Sequence, residues 1–338
     1  MEIRQNVSLR QLNTFGIDAK AAYFTELTSI NQLPSLLDQV RHKKCPLLIL
    51  GAGSNFLFTK DFPGLVIKVN LMGIHLVQDD QDQVTLKIGA GENWHRLVLY
   101  CIKQGYGGIE NLSLIPGTVG AAPIQNIGAY GVELRSVFKE LTALEIASGK
   151  KVVFTKKDCE FSYRHSIFKG KAKGKYLIVD VTLELLKHPN FNITYGAIQE
   201  TIEANGIKDL SLKAVSDAVI QIRRSKLPDP EKIGNAGSFF KNPTIEKPYY
   251  EELKTLFPEI PGYVLDHDQV KIPAAWMIDY CGWKGKTISG VGVHEHQALV
   301  LVNHGSGKGS EIKKLSMEIQ ASIRETFGIE LEPEVNII

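Results

Sequence analysis

The segment Ile115-Pro-Gly-Thr-Val-Gly-Ala-Ala-Pro-Ile-Gln-Asn-Ile-Gly-Ala-Tyr-Gly131 constrains this chain more than any other stretch. Gly117, Gly120, Gly128 and Gly131, with the pair Ala121-Ala122, leave too little side-chain bulk for ordinary core packing. Glycine is favoured where the main chain takes a positive φ or comes very close to another group. Two readings follow: a main-chain surface on which a flat ligand lies, or a surface loop of tight turns. Ile115, Val119, Ile124 and Ile127 argue against a solvated loop and favour the ligand-lining segment.

A second glycine-rich turn, Leu48-Ile-Leu-Gly-Ala-Gly-Ser-Asn55, follows a short aliphatic run. Amide N–H groups in such a turn are fixed donors that can cradle a pyrophosphate. The third glycine of a dinucleotide fingerprint is missing, and Phe56-Leu-Phe58 with Pro63-Gly64 opposes a helix start, so this is not a Rossmann motif. Alone, the turn reads equally as a plain hairpin. Paired with 115–131, it suggests two main-chain loops closing on one nucleotide cofactor.

Several later residues can carry chemistry. Ser238, inside Gly234-Asn-Ala-Gly-Ser-Phe-Phe-Lys-Asn-Pro243, is either a hydroxyl displayed in a dry pocket or a cap for its own turn. No GxSxG elbow is present, so proton donation suits this Ser better than nucleophilic hydrolysis. Arg164, in Asp158-Cys-Glu-Phe-Ser-Tyr-Arg164, meets either a carboxylate ligand or an intramolecular salt bridge. Glu332 and Glu334 flank Pro333 before an apolar end, where one points inward or both are solvated edge-strand carboxylates. Lys226, next to Arg223 and Arg224, binds phosphate or belongs to a solvated charge cluster. Tyr195-Gly196 is a stacking lid or an exposed loop tyrosine. His294-Glu-His296 lacks a third partner at metal spacing and reads as strand-edge polarity, so no metal is expected.

Bulk properties narrow the classes. A formal charge of +2, with Lys and Arg spread along the chain, opposes nucleic-acid binding. Hydrophobic content of 43% and charged content of 22% over 338 residues suit a globular protein of two or three domains. Cys45, Cys101, Cys159 and Cys281 are far apart and form no CxxC pair, which suggests free thiols in a reducing compartment. The opening Met-Glu-Ile-Arg-Gln-Asn lacks a secretory pattern, and no apolar run is long enough to span a bilayer. A cytoplasmic protein is expected, and nothing points beyond a monomer.

Periodicity predicts a mixed chain without repeats. Short strands are expected at Pro46–Leu50, Gly64–Val69 and Val84–Gly89, then around Glu140–Ala147, Tyr176–Leu186, Gln297–Val302 and Val335–Ile338. Helices are expected at Glu92–Gln104, stopped by Gly105, at Ala197–Ala204, at Leu212–Arg224 and at Ala274–Tyr280. A last helix is expected to start at a Ser310 cap and to end at Gly328. Boundaries fall near residues 70 and 200, with the C-terminal strand folding back onto an earlier region.

Taken in order, Asn13-Thr-Phe15, Leu50–Asn55, Ile115-Pro-Gly117 through Gly131, Tyr163-Arg164, Lys226-Leu-Pro-Asp-Pro230, Gly237-Ser-Phe-Phe-Lys-Asn-Pro243 and Leu331-Glu-Pro-Glu-Val335 resemble the UDP-N-acetylenolpyruvoylglucosamine reductase family. The Tyr195-Gly196 loop is similar to that of the family's longer type. The resemblance implies an α+β chain: an FAD-binding fold of two subdomains, of the vanillyl-alcohol-oxidase-like (PCMH-type) class, plus a C-terminal α/β substrate-binding domain. It places the first subdomain at 1–70 with 329–338, the second at 71–200 and the substrate domain at 201–328.

The resemblance also implies non-covalent FAD, NADPH as reductant and UDP-N-acetylglucosamine enolpyruvate as substrate, reduced to UDP-N-acetylmuramate for peptidoglycan. Ser238 is then the proton donor, and Arg164 and Glu334 polarise the enolpyruvyl group. FAD contacts are expected from Leu50, Gly51, Ala52, Gly53, Ser54 and Asn55, from Pro116, Gly117, Thr118, Gly120 and Ala121, and from Asn126, Gly128, Ala129 and Tyr130. Substrate contacts are expected from Tyr195, Lys226, Asn242 and Gln297. Where relatives often carry Ser or Gly, this chain has Ala121-Ala122, so these two contribute main chain only.

Overall fold

The computed structural model describes residues 2–43 and 45–338. Contacts divide the chain into two compact units, each assembled from distant segments. One combines the chain up to Val7 with Ala21–Ala52 and Pro63–Ser225; the other combines Ser8–Lys20, Gly53–Phe62 and Lys226–Ile338.

The first unit carries two sheets. A four-stranded sheet runs in spatial order Arg4–Ser8, Lys20–Leu27, Phe62–Val69, Leu47–Leu50, the last two strands parallel with Leu47 opposite Leu65. An antiparallel sheet runs Lys151–Thr155, Phe138–Glu145, Tyr176–Leu186, Gln83–Gly89, Ile74–Asp79. One core serves both: Leu27, Leu65 and Ile67 meet Leu86, Ile88, Val181 and Leu183. Helices α1 (Leu33–Lys43) and α2 (Trp94–Gln104) add Leu33, Leu36, Trp94, Leu97 and Val98 to it. Each such side chain contributes about 1.5–3 kcal/mol when fully buried. The two sheets therefore fall in one contact unit.

Helix α2 shows how local sequence sets an element. Trp94, Leu97, Val98 and Cys101 recur at helical spacing and are all buried. Asn93 accepts from the Arg96 N–H at 3.0 Å, and Gly105 ends the helix at φ 77°. Helices α3 (Ile198–Ala204) and α4 (Leu212–Lys226) pack together through Ile198, Ile202, Val215, Val219 and Ile222. They belong to the first unit as far as Ser225.

In the second unit, Gly234–Ser238, Val300–Asn303, Val291–Val293 and Thr287–Ile288 form a sheet beside a three-stranded one of Thr244–Glu246, Gln269–Lys271 and Tyr263–Leu265. Helices α5 (Lys247–Leu256), α6 (Ala274–Tyr280) and α7 (Gly309–Phe327) complete it. The expected Ser310 cap is not used. The N-cap is Lys308, two residues earlier, and the Glu311 carboxylate accepts from its N–H at 2.6 Å. The C-terminal strand Asn336–Ile337 pairs in parallel with Phe56–Leu57.

The motif Asn13-Thr-Phe15 organises this unit. Asn13 is buried; its Nδ2 donates to the carbonyls of Leu9 (2.7 Å) and Ile17 (2.9 Å), and its Oδ1 accepts from Ile17 (3.0 Å). Phe15 is buried against Phe239, and its carbonyl accepts from Asn303 Nδ2 at 2.9 Å. Among the described residues no helix is long and apolar enough to cross a membrane, and no group of three His, Cys, Asp or Glu could hold a metal.

Candidate active site

The glycine-rich segment of the first unit is not a solvated loop. Gly117 takes φ 134°, a 3₁₀ turn runs Val119–Gln125, and Asn126 closes it at φ 45°. Val119, Ala122, Pro123 and Ile127 face the interior, while Ala121 is exposed. Main-chain bonds stitch the segment down: Trp94 N–H to Gly117 O at 3.1 Å, Val119 N–H to Glu92 O at 2.8 Å, and Gly120 N–H to Ala90 O at 2.9 Å. The other glycine turn comes close, since a Cβ added at Gly51 would lie 2.5 Å from Thr118 Oγ1. The Gly51 turn thus packs against the Thr118 side chain within the first unit.

A hairpin of Gly128–Ala129 and Val132–Glu133 follows, and its two turn residues are Tyr130 at φ 49° and Gly131 at φ 78°. Positive φ at both positions is the I′ pattern of tight hairpins. Gly fits it freely; a tyrosine held there is strained by roughly 1–3 kcal/mol. Arg164 is held likewise at φ 53°, at the tip of a turn closed by Ser162 and His165. Its Nη2 donates to Gly128 O at 2.7 Å, and its guanidinium lies 5.3 Å from the Tyr163 ring centre. Strained residues cluster at functional sites, and here they are two that the sequence singled out.

Polar side chains fix this surface. Asn126 is fully buried; its Nδ2 donates to Glu133 Oε2 and to Ser162 O, both at 3.1 Å, and its Oδ1 accepts from Arg135 at 3.0 Å. Its amide shapes the segment. Asn111, which sequence reasoning missed, donates to Tyr130 O at 2.9 Å and Asn192 O at 2.7 Å. Tyr195 is 58% exposed, and its Cβ would stand 3.2 Å from a Cβ at Gly131.

His95 is also new. Its Nδ1 accepts from the N–H of Leu114, a residue at φ 59°. Burial lowers its proton affinity below the usual imidazole value, and the positive charges of Arg223 and Arg224 lower it further. The unfolded chain then takes up a proton near 6.5 that the folded chain refuses, so this stabilisation is full above 6.5 and is lost as pH falls through the lowered folded value. Urea midpoints are expected to drop more steeply below pH 6.5 for the wild type than for His95→Asn, which keeps an acceptor without titrating. Parallel pH profiles would remove His95 from this role.

In the second unit, Ser238 ends a strand that is irregular between Asn235 and itself, with Gly237 at φ 70°. Such a bulge re-aims the next side chain. The turn is capped by Asn235, whose Oδ1 accepts from Gly237 at 2.9 Å, and not by the serine. Among the described residues the Ser238 hydroxyl has no hydrogen-bond partner, and Phe239 and Phe240 after it are buried. The C-terminal stretch lies alongside: Glu334 N–H donates to Phe239 O at 2.8 Å, and Phe240 pairs with Pro333. Glu332 turns outward to Lys241 at 2.8 Å, which leaves Glu334 as the half-buried acid of the two.

Two expected contact residues have structural duties. Asn242 Oδ1 accepts from the Ala274 N–H at 2.9 Å and starts α6. Gln297 Oε1 accepts weakly from Leu299 at 3.4 Å within a turn. Lys226 is the exposed last residue of α4. Burial pushes the Cys101 and Cys159 thiols up to about 12, so neither serves as a thiolate at neutral pH.

Comparison with known proteins extends this geometry. Residues 229–338 match the profile of the UDP-N-acetylenolpyruvoylglucosamine reductase C-terminal domain, and residues 21–155 match an FAD binding domain. The UDP-N-acetylenolpyruvoylglucosamine reductase of Amoebophilus asiaticus is 53% identical over 338 residues, covering all of both chains. That of Flavobacterium johnsoniae is 46% identical, again covering all of both. Among solved structures, the Thermus caldophilus UDP-N-acetylenolpyruvylglucosamine reductase aligns over 100% of this chain and 99% of its own, with a TM-score of 0.68 at 20% identity.

Proposed function

This chain belongs to the UDP-N-acetylenolpyruvoylglucosamine reductase family, and from that premise we propose how its own residues divide the work. It is an FAD-dependent oxidoreductase that reduces UDP-N-acetylenolpyruvoylglucosamine, a step of peptidoglycan precursor synthesis. The residues present fit FAD, because Gly51 lies close to Thr118 and Gly117 takes φ 134°, which leaves two neighbouring stretches poor in side chains. Leu50–Asn55, Pro116–Ala121 and Gly128–Tyr130 would hold it, mainly through main chain. FAD held there would supply the hydride for the enolpyruvyl double bond, with NADPH as its reductant.

Hydride addition leaves negative charge on the carbon beside the carboxylate. Ser238 Oγ–H gives its proton to that carbon, forming the C–H bond and leaving an alkoxide that solvent re-protonates. A neutral serine is a weak acid, but a carbanion held at contact is a strong base. Arg164 and Glu334 stabilise the charge before the proton arrives; a fixed donor of this kind is worth about 3–4 kcal/mol. Tyr195 and Lys226 hold the uridine diphosphate. The observation that carries the reading is a Ser238 hydroxyl without a protein partner, followed by Phe239, whose carbonyl accepts from the half-buried Glu334.

The test uses purified protein. It is expected to be yellow, to bleach with NADPH under anaerobic conditions and to recover colour on adding the enolpyruvyl UDP-sugar. Bleached protein that regains colour only with oxygen would sink the reading.

A further inference from the structure

Asn111 does more than its place in the 3₁₀ turn Glu110–Leu112 requires. The residue is fully buried, yet its one amide nitrogen donates to two main-chain carbonyls from distant parts of the chain. The first is Tyr130 O at 2.9 Å, in the tight hairpin turn assigned to the flavin cradle. The second is Asn192 O at 2.7 Å, at the base of the loop that carries Tyr195. Among the described residues no donor meets the Asn111 Oδ1. Turning the amide over would set that oxygen against two carbonyls, so the two donated bonds fix how it sits. A buried amide with one end unmet adds little net stability. Its worth lies in what it joins.

The two segments touch one another. Asn192 Nδ2 donates to Gly131 O at 3.2 Å, and a Cβ at Gly131 would lie 2.8 Å from that nitrogen and 3.2 Å from Tyr195 Cβ. A Cβ at Gly196 would lie 3.8 Å from Tyr130 Cδ1. Phe191, Ile193 and Tyr130 all pack on the α3–α4 cluster, whereas Thr194, Tyr195 and Gly196 are exposed. The Asn192–Gly131 bond lies at the surface, where water competes for it. The Asn111 bond comes from a side chain that water does not reach, so it is the firmer tie. Resting on the assignment of Tyr195 to the uridine diphosphate, we infer that Asn111 is a positioning residue that clamps the base of this loop to the Tyr130 turn, so that Tyr195 is ordered before substrate arrives. A side chain on a free loop loses its mobility on binding, and that loss subtracts from affinity. Through one amide, the flavin cradle and the diphosphate contact share an anchor.

The experiment is a double-mutant cycle on the FAD-loaded protein: wild type, Asn111→Asp, Tyr195→Ala and the double variant. Each is titrated with UDP-N-acetylglucosamine enolpyruvate without NADPH and followed by flavin difference absorbance and calorimetry. Aspartate has nearly the shape of asparagine but sets carboxylate oxygen where the two carbonyls had a donor. Asn111→Asp is expected to weaken binding roughly tenfold to hundredfold. Once Tyr195 is alanine, the same change should weaken it by no more than about twofold, because nothing is left to position. A merely structural role would weaken both backgrounds equally. In the unliganded protein, amide hydrogen exchange over 190–197 should quicken by about tenfold or more in Asn111→Asp and stay unchanged in the strand Phe138–Glu145. If the aspartate variant does not fold or load FAD, Asn111→Ser, which keeps one donor, carries the same cycle. Unchanged affinity in the Asn111 variant, equal weakening in both backgrounds, or unchanged exchange over 190–197 overturns the inference. Tyr195→Ala that binds as tightly as wild type overturns it too. Wild-type protein that binds this compound but does not reduce it when NADPH is added sinks the reductase reading instead, and the cycle still judges Asn111.

Discussion

Ser238→Ala is expected to leave the bleaching of the flavin by NADPH at its wild-type rate and to slow recovery of colour with the enolpyruvyl UDP-sugar by roughly 10²–10⁴-fold. The asymmetry follows from what the hydroxyl does. Transfer from NADPH needs no proton from the protein at this carbon, whereas substrate reduction stalls when the carbanion has no acid at contact distance. The strand irregularity between Asn235 and Ser238, the Asn235 cap and the buried pair Phe239–Phe240 hold the backbone without help from the hydroxyl. Removing the Oγ should therefore not disturb folding, and equal urea midpoints are expected. Stopped-flow absorbance under anaerobic conditions separates the two half-reactions. Comparable slowing of both, or a variant that unfolds early, would take Ser238 out of the donor role. In heavy water the wild type should show a slowed second half-reaction that the alanine variant, already deprived of its proton source, does not mirror.

How much of this was legible depends on where each residue finds its partners. Helix α2 could be read because its stripe, cap and stop all lie within a dozen residues or so, the range over which helical periodicity acts. The strand Tyr176–Leu186 could be read for the same reason. Asn126 could not, because Glu133, Ser162 and Arg135 satisfy it from beyond the motif. The contact division was hidden too: Phe56–Leu57 pairs with Asn336–Ile337, and Asn336 Nδ2 donates to Asn55 O, across most of the chain. No local pattern announces such a pairing. At α7, Ser310 is a good cap by type, yet the carboxylate of Glu311 reaches the Lys308 N–H, and the helix starts two residues earlier. The half-buried place of Arg223 was obscured by Arg224 and Lys226, since a run of like charges normally lies in water.

Gly53→Ala should destabilise the protein by roughly 3–5 kcal/mol, the sum of a left-handed backbone penalty and a collision with main chain. Gly53 has φ +65°, and a Cβ there would lie 1.9 Å from Leu12 O and 2.9 Å from Leu12 C and Asn13 Cα. These atoms have no room to retreat. Asn13 ties Leu9 to Ile17 through three hydrogen bonds, and the Thr14 N–H donates to Gly53 O at 3.3 Å. Gly282→Ala in the same unit isolates the first component, because that residue has φ +72° with nothing within 4 Å of its added Cβ. It should cost only about 1–2 kcal/mol. Urea denaturation followed by circular dichroism reads both variants against the wild type. A Gly53→Ala midpoint no lower than that of Gly282→Ala would mean the 9–17 turn yields easily, and that the glycine at position 53 is not demanded by the fold. A large gap between them would mark Gly53 as a requirement of packing in the second unit, independent of any cofactor that the loop also serves.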